Sequence, residues 1–376
     1  MKIDLFKVED WMNRYETKAV YNLAETCVHS LTLRELLNYD TSKPNALEKL
    51  MDQRLTYGDI TGNPVFKEEL SALYSHVSPD QILTTHGAIG ANQLALLTLV
   101  EPGDHVIVAV PTYQQLYAIP EAIGAKVDRL ELLAEEAFLP NLEKLKALVT
   151  PETKLIVLNN PNNPTGALIS EDMLQDIVNM ARENDAWLLC DEVYRGMQPR
   201  GSSMVPSVVD MYEKGVATGS LSKIFSLAGL RLGWVVGPAP FIQDCFHQRD
   251  YSTISCSMVD EALGMVAVKN RHKVWERNLG MVNANLDIID EWVKNEPRVS
   301  YVKPKAGTTA FLKIESQMFM EDFCIKLMEE TGTMLVPGTC FEREGYVRMG
   351  YVCDEETLRK GLKEISSFLQ KHPDIE

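Results

Sequence analysis

Six short apolar runs recur along the chain, at 82–85, 105–110, 154–159, 186–190, 215–219 and 233–237. The run 105–110 reads His-Val-Ile-Val-Ala-Val and 154–159 reads Lys-Leu-Ile-Val-Leu-Asn, with no polar alternation inside either. A strand that is apolar on both faces must be covered on both, as in a parallel sheet. Between the runs lie segments with apolar residues three and four apart, the spacing of a helix with one buried face. They predict helices over 65–74, from the 86–92 turn through 99, over 171–184, within 242–270 and over 275–293. Strands alternating with helices imply an α/β doubly wound sheet. The pattern then changes to short strand-like runs near 301–302, 309–314, 334–336 and 346–349, closed by an amphipathic helix over 356–371. That change suits a second, smaller domain. Residues 1–45 read as mostly helical and polar, and Asn22-Leu23-Ala24-Glu25 as a connector, or a stretch past the mouth of a site, with no assigned role.

Composition narrows the function classes. At 376 residues the chain is long enough for one large and one small domain. A formal net charge of −16 argues against nucleic acid or an anionic membrane as partner. No run of about 18 apolar residues marks a membrane span. Charges interrupt the first ten residues, so no secretory signal is expected. Seven cysteines lack C-x-x-C spacing and seven histidines lack ligand pairing. This usage suits free thiols in a reducing cytoplasm, with no metal site.

The candidate chemistry centres on one stretch, Ser220-Leu221-Ser222-Lys223, with Gly229-Leu230-Arg231 after it. It lies between two apolar strands, where an ammonium is costly to bury. Alone, Lys223 reads as an ordinary loop lysine. Ser220, Ser222 and Arg231 change that, because hydroxyl donors and a guanidinium fork are what a phosphate needs. A lysine beside a phosphate site is a candidate Schiff-base lysine, with a pKa lowered by burial and nearby cations. Ser-x-Ser-Lys followed by Gly-x-Arg resembles the lysine motif of the fold-type I pyridoxal-phosphate enzymes, specifically the class I/II aminotransferases.

The resemblance covers nearly the whole chain and implies roles for further residues. It implies one mostly parallel seven-stranded sheet in three layers, with a smaller α+β domain built from both chain ends. The boundaries would be 1–45 and 281–376 for the small domain and 46–280 for the large cofactor-binding one. A glycine turn into a helix frees backbone amides for an anion. By resemblance these are the amides of Ala88 and Ile89, beside Ser220, Ser222, Lys223 and Arg231. Tyr113, just past a strand end, matches the aromatic on the pyridine face. The loop 159–166 contains Pro161 and Pro164, which stiffen it and hold Asn163 toward the phenolic oxygen. Asp191 and Tyr194 match the carboxylate of the pyridinium nitrogen and the partner of the phenolic oxygen. Their plainer readings are a helix cap and a core tyrosine. Tyr57 would reach the phosphate of the other subunit, or pack as a loop tyrosine. Arg348, with Asn163, matches the arginine site for the substrate α-carboxylate; its plainer reading is a surface ion pair. His86 departs from the family pattern, and both a structural role and one near the substrate stay open for it.

Lys223, Asp191 and Tyr194 are thus the expected catalytic residues, with pyridoxal 5'-phosphate as cofactor in a homodimer with shared active sites. The expected reaction is transfer of an amino group between an amino acid and a 2-oxo acid. The motifs equally admit a lyase, cyclase or oxidase on the same cofactor, for example a C–S lyase or an arginine-acting enzyme like the capreomycidine synthase group. A cofactor-binding DNA regulator is disfavoured by the acidic charge and by how early the aminotransferase-like part begins. No second arginine is evident for a dicarboxylate side chain.

Overall fold

The computed structural model describes residues 2–198 and 203–372. Strand β1 (Tyr21–Asn22) precedes seven strands that form one sheet: β2 (Ile82–His86), β3 (His105–Val110), β4 (Lys126–Glu131), β5 (Thr153–Asn159), β6 (Trp187–Asp191), β7 (Gly215–Ser220) and β8 (Leu232–Val236). Their order is β2-β8-β7-β6-β5-β3-β4. Only β8 runs antiparallel to its neighbours, β2 and β7. The pairs β3–β4, β3–β5, β5–β6 and β6–β7 are parallel.

The near-continuous apolar runs are explained by two cores, one on each face. Val106, Val108 and Val110 enter one core while Ile107 and Ala109 enter the other. Leu155 and Val157 against Ile156 and Leu158 repeat the split. The helix Gly87–Leu99 contributes Leu94, Ala95, Leu96 and Leu99 to the first core. The helix Glu171–Glu183 contributes Leu174, Ile177, Val178 and Ala181 to the second. The result is three layers, helices on both sides of the sheet.

Hydrophobic runs alone yield six of the seven strands. The seventh is β4, Lys-Val-Asp-Arg-Leu-Glu, at the sheet edge. An edge strand keeps charges along its length, so it carries no apolar run to read.

The smaller domain contains β9 (Val299–Tyr301), β10 (Thr309–Ile314), β11 (Thr333–Met334), β12 (Val336–Pro337) and β13 (Tyr346–Gly350). An antiparallel sheet of order β12-β13-β10-β9 is joined by a separate parallel pair, β1 with β11. The run expected near 334–336 is therefore split between two sheets. The long helix spans Arg271–Asn295. No helix among the described residues is long and apolar enough to cross a membrane.

The first 45 residues depart from the helical expectation. Helices cover Lys7–Tyr15 and Leu33–Leu37, but between them lie only a 3-10 turn (Glu16–Lys18), the two residues of β1 and irregular chain. Tertiary pairing overrides its local preference. Leu23 N donates to Met334 O and accepts at its carbonyl from Gly350 N. Asn22 Oδ1 takes the amides of Ala24 and Glu25. Trp11 is buried, with its indole N–H on Leu335 O at 2.9 Å. The two chain ends are thus stitched into one unit.

Candidate active site

Asn159, Asp191 and Ser220 end β5, β6 and β7, and all three line a cavity of about 300 Å³. Ligands in such sheets bind at the carboxyl ends of strands. Eleven of the twelve expected site residues line this cavity: Ala88, Ile89, Tyr113, Asn163, Asp191, Tyr194, Ser220, Ser222, Lys223, Arg231 and Arg348. Tyr57 does not; it stands on the 57–63 loop and is 71% exposed. His86 is exposed and also absent from the lining.

One end of the cavity is built as an anion cradle. The helix Gly87–Leu99 starts directly from β2, so the amides of its first turn, which includes Ala88 and Ile89, lack intrahelical partners. Gly87 has φ +69°, and a Cβ there would meet Arg231 Nη2 at 2.9 Å. The guanidinium therefore packs against bare backbone. Arg231 itself is left-handed, φ 49°, with Nη1 donating to Ala228 O at 2.9 Å. Gly233 on β8 is needed for the same approach, because a Cβ there would strike the Gly87 backbone. Ser220 and Ser222 are buried beside this end, and Ser222 N donates to Ser220 Oγ at 3.2 Å.

Asp191 is 4% exposed and held by donors. Asn92 Nδ2 donates to Oδ2 at 2.8 Å and Val193 N to Oδ1 at 3.0 Å. Asn92 is in turn fixed by Thr218, whose hydroxyl donates to Asn92 Oδ1 at 2.6 Å. Burial pushes the Asp191 carboxyl up, against the donors and Lys223. Asn159 Nδ2 donates to the Asp191 carbonyl and its Oδ1 receives Asn163 N, tying the loop after β5 to β6. Asn92 escaped the sequence reading because nothing local links it to a residue 99 positions away.

Lys223 Nζ donates to Thr26 Oγ1 at 2.6 Å and to Cys27 Sγ at 3.2 Å, and lies 5.9 Å from the Tyr194 ring centroid. Burial disfavours its ammonium form. Its interactions with Cys27, Tyr194 and Glu25 outweigh that and hold the Lys223 pKa above the ordinary lysine value. This reverses the lowered value expected from burial and nearby cations. Arg231, the expected cation, does not figure among its main influences. The stretch read as a bare connector is thus part of the site. Ala24, Glu25, Thr26 and Cys27 all line the cavity. Glu25 Oε1 accepts the amides of Thr26 and Cys27 at 2.7 and 2.6 Å. Burial opposes its charge, but Lys223 and these donors keep the carboxyl below its ordinary value.

Arg348 comes from β13 and is 3% exposed, not a surface ion pair. Its Nη2 donates to Ala24 O at 2.9 Å and its Nη1 to Asn163 Oδ1 at 3.3 Å. Its Nε is buried with no hydrogen-bond partner. Tyr113 closes another wall and donates its hydroxyl to Glu9 Oε1 at 2.5 Å.

Comparison with known proteins shows the family. The aminotransferase class I and II family pattern matches residues 36–365. Capreomycidine synthase of Streptomyces vinaceus is 30% identical, over 97% of this chain and 94% of that protein. Aspartate aminotransferase of Pyrococcus horikoshii is 28% identical, over 89% of this chain and 88% of that one. The crystal structure of a pyridoxal-phosphate-dependent aminotransferase from Streptococcus suis superposes with a TM-score of 0.95 at 45% identity, covering 99% of both chains. The chain belongs to the class I and II aminotransferase family of pyridoxal-phosphate-dependent enzymes.

Proposed function

We propose that this enzyme moves an amino group between an amino acid and a 2-oxo acid, with the cofactor held through Lys223. The observation that carries the reading is Lys223 sharing one cavity with the buried Asp191 carboxylate, the Arg231 cradle and Arg348.

The cavity fits pyridoxal phosphate on its own chemistry. The phosphate would sit on the amides of Ala88 and Ile89, the hydroxyls of Ser220 and Ser222, and Arg231. Gly87 leaves that approach free of a Cβ. Asp191 would hold the ring nitrogen in its protonated form, Asn163 and Tyr194 the phenolic oxygen, and Tyr113 the ring face. The cofactor supplies an aldehyde carbon that takes up the amino group and a ring that accepts the electron pair released at Cα.

The chain supplies orientation and proton transfer. Arg348 and Asn163 hold the α-carboxylate, for which a guanidinium fork is suited. Lys223 Nζ takes the proton from the substrate Cα and delivers it onward as general base and acid. Thr26 and Cys27 hold that amine when it is free. Tyr57, exposed on its loop, would complete the phosphate site of a second copy, so the reading includes a homodimer with shared sites. Seven free cysteines support a cytoplasmic setting.

The test is the absorbance of the holoenzyme titrated with single amino acids. The visible band should bleach with an amino acid and return with a 2-oxo acid. Lys223→Ala should abolish turnover; undiminished turnover would reject the reading. A second reading keeps the same residues but ends in elimination, cyclisation or oxidation. It is supported by the 30% identical relative named capreomycidine synthase. Release of ammonia, pyruvate or peroxide without any 2-oxo acid would favour it.

A further inference from the structure

The first 25 residues bring three carboxylates to the cavity: Glu9, Glu16 and Glu25. Glu9 lies on the helix Lys7–Tyr15, Glu16 directly follows it, and Glu25 lies on the extended stretch beyond β1. Among the described residues none of the three forms an ion pair within 4.0 Å with a lysine or arginine, although the Lys223 charge acts on Glu25. Glu9 takes the Tyr113 hydroxyl, and Glu25 takes two backbone amides. Glu16 feels the crowding: burial and the charges of Glu25 and Glu9 push its carboxyl up. The cations lining the cavity are Lys223, Arg231 and Arg348, and no fourth lysine or arginine joins them among the described residues.

An independent feature points to a ligand in the same cavity. Arg348 is 3% exposed and its Nε has no partner. A buried donor left without a partner is unfavourable, and a carboxylate that reached it would relieve that cost. The cavity therefore pairs an anion receptor with an anionic wall. We propose that the substrate is a basic amino acid, its α-carboxylate on Arg348 and its cationic side chain on Glu9, Glu16 and Glu25. This rests on the reading of the cavity as an amino-acid site. It separates this chain from what the name of its Pyrococcus relative would suggest. An aspartate or glutamate side chain would meet three carboxylates and no arginine beyond Arg348 and the cradle's Arg231.

The test uses the holoenzyme and carboxylates that lack the α-amine, so that binding is read without turnover. Guanidinovalerate, aminocaproate, hexanoate and glutarate are titrated calorimetrically. One of the two cationic acids should bind at least about 10-fold tighter than hexanoate, with glutarate weakest. Which cationic acid leads identifies a guanidinium or an ammonium side chain. Glu9→Gln, Glu16→Gln and Glu25→Gln should each narrow the gap. Glutarate or hexanoate binding as tightly as the better cationic acid would overturn the proposal, as would a gap untouched in the triple variant. Should the triple variant not fold, the ranking in the unmodified enzyme decides alone. Turnover with pyruvate as acceptor separates this from the reaction assignment. The expected ranking without transamination of any amino acid leaves the basic side chain standing and removes the aminotransferase reading. Equal kcat/KM for lysine, arginine, norleucine and glutamate does the reverse.

Discussion

Lys223 reaches across 196 residues of chain to Cys27, its Nζ 3.2 Å from Sγ. Thr26 stands beside it at 2.6 Å. The amine of the large domain is therefore held by the N-terminal stretch that pairs with β11 and β13. Binding at the lysine and seating of the chain end are coupled through these contacts.

The first prediction follows from that pair. Burial lowers the Lys223 pKa, and the interaction with Cys27, a thiol that burial itself pushes up, is the largest influence raising it. Cys27→Ala removes a raising influence, so the pKa falls. In cofactor-free protein, the pH at which an amine-reactive reagent modifies Lys223 at half its maximal rate should move down. A change in maximal rate alone, with no move in that pH, would mean that Cys27 only screens the amine sterically.

The second prediction concerns Asn92. Asn92→Leu leaves Asp191 Oδ2 without its 2.8 Å donor. Burial already raises this carboxyl, and losing a donor raises it further. A protonated Asp191 cannot pair with a protonated ring nitrogen. Outer-shell changes of this kind cost about 10–100-fold in activity. The sign with pH follows from that direction: raising pH deprotonates Asp191, so the loss in kcat should shrink as pH rises. A loss that is flat with pH would assign Asn92 to packing only.

The sequence makes the sheet legible because each buried strand is apolar on both faces, as in Val106 to Val110. Lys223, Arg231 and Asp191 are legible because each sits in a motif whose neighbours share its chemistry. Glu9, Thr26, Cys27 and Asn92 are not, because their partners lie far away in sequence. The separation is 99 positions for Asn92 with Asp191 and 104 for Glu9 with Tyr113. Strand β4 is hidden for the opposite reason: its edge position selects charges that mask the strand.

The third prediction isolates the cradle. Gly87→Ala forces φ +69° on a residue with a Cβ and drives that Cβ to 2.9 Å from Arg231 Nη2. The backbone strain is about 1–2 kcal/mol. The displaced guanidinium should raise the pyridoxal phosphate dissociation constant at least about 10-fold. Gly103→Ala is the control, since φ is +91° there but nothing lies within 4 Å of the added Cβ. It should lower stability similarly and leave cofactor affinity unchanged. Equal affinity loss in both variants would trace the effect to general destabilisation.

The last prediction follows from Glu192, the neighbour of Asp191 that faces away from the cavity. Its Oε1 accepts from Ser207 Oγ at 2.9 Å and Val208 N at 3.0 Å. Its Oε2 is buried without a hydrogen bond, and Arg195 Nε is 3.7 Å away. Burial outweighs Arg195 and these donors and pushes the pKa from 4.5 to about 7. The folded state therefore keeps a proton that the unfolded chain releases. Its contribution to stability is fully present below about pH 4.5 and lost as pH rises through about 7. Glutamine copies the protonated form, so Glu192→Gln should match the unmodified protein near pH 5. Near pH 8.5 it should be the more stable of the two, by up to about 3 kcal/mol. Urea unfolding of both proteins at the two pH values measures the difference. If the gap does not widen with pH, Glu192 is ionised in the folded state at both values, and Arg195 rather than burial governs it.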